Sequence, residues 1–136
     1  SELPEESLHS GIGLEGLLDC FNYQCDDYET TAGRLFITPA VYSHQGWFEE
    51  VLIGPEQTER FWMSRLVFQT AAGMFRRSLI VGLTLSGNGY LETEEGRLAI
   101  AKGTEFFIPA GTGNYRYIPD GEGDDLEILE CYPPVL

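Results

Sequence analysis

Residues 78 to 118 set the tightest limit on what this chain can fold into. An apolar run from Leu79 to Leu85 meets Ser86-Gly87-Asn88-Gly89, and a second short run, Tyr90 to Thr93, meets Glu94-Glu95-Gly96. Arg97 to Ala101 then turns at Lys102-Gly103, Glu105 to Ile108 breaks at Pro109-Ala110-Gly111, and Asn114 to Ile118 alternates again. Short runs of Ile, Leu, Phe and Tyr cut every few residues by Gly or Pro predict an antiparallel β meander. From 61 to 132 no apolar spacing of 3.6 lasts beyond a turn, so helices are not expected there. Many short strands avoid exposed edges by closing into a small barrel or a two-sheet jelly roll.

The rest of the chain extends this plan. Leu14, Leu17, Leu18 and Phe21 recur at helical spacing and predict a short helix over 13 to 21, set against the barrel. Residues 1 to 10 are expected to be a loose lead-in, and 22 to 34, with Asp26, Asp27 and Glu29, a surface loop. Strands are expected at 34 to 38, 46 to 53 and 126 to 132, with a turn at Gly54-Pro55-Glu56. Residues 61 to 69 alternate, placing Trp62, Ser64, Leu66 and Phe68 on one face and Met63, Arg65 and Val67 on the other. The expected organisation is a lead-in with a short helix over 1–30 and one all-β barrel domain over 31–136.

Composition excludes several partners. With 22 acidic and 8 basic residues, the chain of 136 carries a net charge of −14. No basic stripe offsets it, so neither nucleic acid nor an anionic membrane is an expected partner. No apolar run reaches the roughly eighteen residues of a membrane span. The chain opens on Ser1, and no basic segment leads into an apolar one, so a trimmed start without a signal peptide is expected. Cys20, Cys25 and Cys131 are odd in number and lack a zinc spacing, as expected of free thiols in a cytoplasmic protein. The Asp120-to-Asp125 turn does not match a calcium loop and is expected to be a solvated hairpin.

Gly103-x5-Pro109-x-Gly111-x2-Asn114 is similar to the second motif of the cupins, where a metal-binding His stands at the last position. Counting back from Gly87, the other ligand positions fall near Met74 and Arg76, for the paired His, and at Ile80, for the Glu. None of Met74, Arg76, Ile80 or Asn114 is a usual ligand for a transition metal. His9 and His44 lie outside both windows, so neither a metal nor a catalytic residue is expected. Arg76 and Asn114 are expected to point inward, with Arg116 two residues on, and Arg65 completes the set of candidate ligand-binding residues. Such a cluster could hold a phosphate or carboxylate by charge-assisted hydrogen bonds. Alternatively, the arginines lie at the barrel rim, paired with the abundant acids.

Three longer segments carry a narrower resemblance: Val51 to Phe68, LTLSGNGYLE, and KGTEFFIPAGTGNYRY. Together with Gly13 to Tyr23, they resemble the C-terminal β domain of class I mannose-6-phosphate isomerases and the helix-to-linker passage before it. The resemblance implies a cupin-type jelly-roll barrel with a short N-terminal helix. In that family, Gln, Glu and two His of an N-terminal half hold zinc and support proton transfer between C1 and C2 of the sugar phosphate. This chain has no counterpart of those ligands, since His44-Gln45 has the wrong order and spacing. The implied role is a non-catalytic domain without its own cofactor, partnered by the N-terminal catalytic half. The alternative is a stand-alone metal-free cupin that binds a sugar or hexose phosphate, and a third possibility is a structural domain that forms a homodimer.

Overall fold

The computed structural model describes residues 11–134, and the loose lead-in expected over 1 to 10 lies outside them. The chain divides into two compact units, the first ending at Phe36 and the second beginning at Ile37. The first holds helices α1 (Gly13–Asp19) and α2 (Tyr28–Leu35). α1 matches the helical spacing of its leucines. α2 takes the second part of the surface loop expected over 22 to 34, leaving 22 to 27 without regular structure. The strand expected at 34 to 38 does not form, since Arg34 and Leu35 end the helix and 36 to 38 belong to no strand. Asp27 is the reason: its carboxylate caps the helix by accepting a hydrogen bond from the Thr30 amide at 2.7 Å. Glu29 in the first turn and Arg34 in the last suit the helix dipole.

The second unit is all β. Its strands are β1 (Ala40–His44), β2 (Trp47–Ile53), β3 (Trp62–Phe68), β4 (Ala72–Phe75) and β5 (Ile80–Ser86), then β6 (Asn88–Thr93), β7 (Gly96–Ala101), β8 (Glu105–Ile108), β9 (Asn114–Pro119) and β10 (Leu126–Tyr132). They form a six-stranded sheet in the order β1-β2-β3-β10-β5-β8 and a four-stranded sheet in the order β4-β9-β6-β7. Every pairing is antiparallel. The two sheets make the jelly roll that the meander predicts. Two strands are additions: β1 and β4 form in segments to which the sequence reading assigned no element. Among the described residues no helix is long and apolar enough to cross a membrane.

The core lies between the sheets and follows period-two alternation. Leu66 and Phe68 of β3, Ile80 of β5, Leu126 and Ile128 of β10 and Tyr117 of β9 are all fully buried. Tyr117 sits at the centre, 5.0 Å from the Phe68 ring and 6.1 Å from that of Phe106. Gly82 of β5 lies directly across from Phe106, whose ring fills the space a side chain would need. The sequence Ile-Val-Gly-Leu therefore leaves a slot in an otherwise bulky strand. Gly82→Ala is expected to lose about 1–3 kcal/mol of stability by overpacking, read as a lower urea midpoint with unchanged slope.

Candidate functional site

The chemistry-bearing side chains of the barrel converge on Glu130. Alternation along β10 turns Leu126, Ile128, Glu130 and Tyr132 inward, and Glu130 is completely buried. An unpartnered carboxylate there would cost several kcal/mol. Three donors meet it. Tyr115 and Tyr117 donate their hydroxyls to Oε1 at 2.8 and 2.9 Å, and Arg76 donates Nε to Oε2 at 2.6 Å. Arg76 also reaches Glu49 of β2 at 2.8 Å through Nη2, and its guanidinium lies 4.1 Å above the Tyr132 ring. The Tyr132 hydroxyl shares a hydrogen bond of 3.0 Å with Ser64.

The network sets the protonation of its members. Burial works against the charge on Arg76, but the adjoining charge of Glu130 and the hydrogen bond to Glu49 outweigh it and hold its pKa above the ordinary arginine value. Burial, reinforced by the charge of Glu130, pushes the Tyr115 and Tyr117 hydroxyls up, and burial does the same for Tyr132. All three phenols are held in the neutral form, and those of Tyr115 and Tyr117 serve as donors to Glu130. With both oxygens of Glu130 engaged, the cluster offers neither a free base nor an activated nucleophile.

The four candidate residues do not come together. Arg76 is inside the barrel, as expected, but two carboxylates hold it. Asn114 is exposed on the outer face of the four-stranded sheet, across from Phe75, and corrects the expectation that it points inward. The reason is alternation: Tyr115 and Tyr117 take the inward positions of β9, so Asn114 and Arg116 must face out. The Arg116 side chain is 53% exposed and touches Glu92 at 3.5 Å. Arg65 lies on the outer face of the six-stranded sheet, clasped by Glu50 at 2.7 Å and Glu127 at 3.0 Å. The face expected for residues 61 to 69 holds: Ser64, Leu66 and Phe68 are buried, and Trp62 packs against the core. Glu130 and the tyrosines were missed, although an acid in phase with Leu126, Ile128 and Tyr132 was a readable signal.

The residues present do not fit a metal ion. Met74 and Ile80 belong to the apolar core, Arg76 brings a positive charge, and Asn114 faces out. Among the described residues no three His, Cys, Asp or Glu side chains cluster in a way that could hold one. A surface cleft of about 520 Å³ lies beside β7 and β8, lined by Leu91, Thr93, Arg97, Leu98, Phe107 and Pro109 among others. None of Arg65, Arg76, Asn114 or Arg116 lines it.

The architecture is that of the cupins. No family model and no curated protein sequence matches the chain. Among solved structures, ectoine synthase from P. lautus superposes with a TM-score of 0.60 at 12% identity, over 71% of this chain and 70% of that one. An RmlC-like cupin from Shewanella frigidimarina superposes with a TM-score of 0.57 at 12% identity, over 71% and 85%. Mannose 6-phosphate isomerase from Bacillus subtilis gives a TM-score of 0.59 at 14% identity, over 86% of this chain but 32% of the isomerase. These likenesses establish a cupin-type jelly-roll domain and, at such identities, the fold alone.

Two outcomes follow from the network. Arg76→Ala strands Glu130 in the core and is expected to cost about 3–5 kcal/mol, against about 1 kcal/mol or less for Arg65→Ala at the solvent-screened outer face. Replacing Arg76 and Glu130 together by Met and Leu should recover much of the loss, measured by urea denaturation. The second outcome concerns pH. Unfolded tyrosines ionise near pH 10, so below that the contribution of the raised phenols is fully present. Above it the unfolded chain releases protons that the folded one keeps, and stability falls as pH rises. The urea midpoint should therefore drop through the alkaline range, with a shallower slope in Tyr117→Phe.

Proposed function

We propose that this chain is the C-terminal, non-catalytic β-barrel domain of a class I mannose-6-phosphate isomerase. The observation that carries the non-catalytic role is the Arg76–Glu130 ion pair. Arg76 stands near a position where the cupin motif places a metal-binding His, and its pairing with Glu130 closes the interior with side chains that satisfy one another. Support for the isomerase context comes from the sequence resemblance and from a fold likeness that extends over 86% of this chain while taking up 32% of the Bacillus subtilis enzyme. On this reading zinc and the proton-transfer residues belong to the N-terminal half, and this domain supports that half. Arg116, the most loosely paired of the three candidate arginines, is the one able to turn toward a sugar phosphate. A cytoplasmic setting suits the three free cysteines.

The test compares this chain with the full product of its natural reading frame, each assayed for interconversion of mannose 6-phosphate and fructose 6-phosphate with added zinc. Zinc-dependent turnover is expected in the longer polypeptide and only background in this chain. Turnover by this chain alone would overturn the non-catalytic role. A natural product no longer than this chain, or a longer one without activity, would overturn the isomerase context.

A further inference from the structure

The six-stranded sheet ends on β1, and nothing in that strand protects the edge. All five residues, Ala40 to His44, are exposed, and the strand carries no charge in a chain of net charge −14. Its register with β2 runs without a bulge from Ala40↔Val51 to His44↔Trp47. The other sheet edges differ: β8 begins at Glu105, β7 carries Arg97, and β4 has four residues and runs into Arg76-Arg77. Lysines, charges, prolines and short length are the usual guards of an edge. β1 has none of them inside it, and it shows Val41 and Tyr42 at 56% and 55% exposure.

The hairpin tells which groups face out. His44 and Trp47 close a two-residue turn, Gln45-Gly46, with their rings stacked at 3.9 Å. The closing pair of such a turn exchanges hydrogen bonds, so His44, Tyr42 and Ala40 direct their backbone groups to β2. Val41 and Ser43 direct theirs to the open edge. Those two residues flank Tyr42 symmetrically. A second β1 laid antiparallel with Tyr42 opposite its own copy would pair Val41 with Ser43 twice, giving about four main-chain hydrogen bonds about a twofold axis.

Charge points to a copy of this strand as the occupant. Two copies of a chain this acidic repel least where they meet on an uncharged strip, and β1 is one. The same contact covers apolar surface on the inward side of the strand. There Tyr42 borders a cleft of about 210 Å³ shared with Ile37, Ala40, Val51 and Pro55.

We infer that the chain self-associates as a twofold dimer through β1, joining two six-stranded sheets into one continuous sheet. This inference does not depend on the isomerase reading. The test measures the mass of this chain in solution across the micromolar range at low and high salt. A dimer is expected, strengthened by salt because screening relieves the repulsion between the two acidic chains. Val41→Pro removes an edge amide without touching the β1–β2 ladder and should weaken dimerisation at least tenfold. Tyr42→Cys, in a background with Cys20→Ser and Cys25→Ser, should form a cross-linked dimer on mild oxidation, because directly opposed side chains lie within disulfide reach. A chain that stays monomeric at high salt overturns the inference. So does a dimer that survives Val41→Pro in a folded protein, or one that leaves Tyr42→Cys unlinked. Should Val41→Pro disturb folding, the cross-link alone decides.

Discussion

A carboxylate buried without water can exist only where the protein supplies its solvation, and the rest of this barrel is arranged around that demand. Glu130 belongs to the six-stranded sheet, while Tyr115 and Tyr117 belong to the four-stranded one and Arg76 follows directly from β4. The hydrogen bonds that satisfy the acid therefore tie the two sheets together across the core. They also fix direction, which apolar packing does not, since each donor must arrive at an oxygen with defined geometry. A purely apolar replacement would be free of the desolvation cost but would lose that constraint.

Charge is handled in the same manner on the outside. Glu49 and Glu50 are neighbours on β2 and point to opposite faces, as strand alternation requires. Glu49 takes Arg76 on the inner side, and Glu50 takes Arg65 on the outer side. Each arginine then reaches β10, Arg76 at Glu130 and Arg65 at Glu127. One pair of adjacent acids thus links β2 to β10 on both faces of the sheet, with β3 between them. Many of the remaining acids sit in turns, as at Glu94-Glu95 and Asp120 to Asp125, where water screens them.

The barrel was largely readable because its strands are short and most are bounded by Gly or Pro. The hairpin of β6 and β7, and the strands β8, β9 and β10, fall close to where the runs of residues place them. Errors arose where a local signal had two readings. Asp27 reads as loop polarity until its side chain is seen to cap Thr30. Asn114 reads as inward from the spacing of a motif, while the alternation of Tyr115 and Tyr117 around Arg116 carried the opposite message. β4 is short, and its Ala-Gly-Met-Phe sequence acquires strand character only by pairing with β9.

The sequence by itself determined the all-β class, the succession of most strands, the inward face of β3 and the absence of ordinary metal ligands at the positions where a cupin motif would put them. All of these follow from residue type and near-neighbour periodicity. Tertiary structure decided which charges meet: Arg76 with an acid 54 positions away, Arg65 with acids 15 and 62 positions away. It also decided that β1 would be left as an open edge. Period-two alternation assigns each side chain a face, but it carries no information about the strand that lies opposite, because that choice is made by packing over the whole chain.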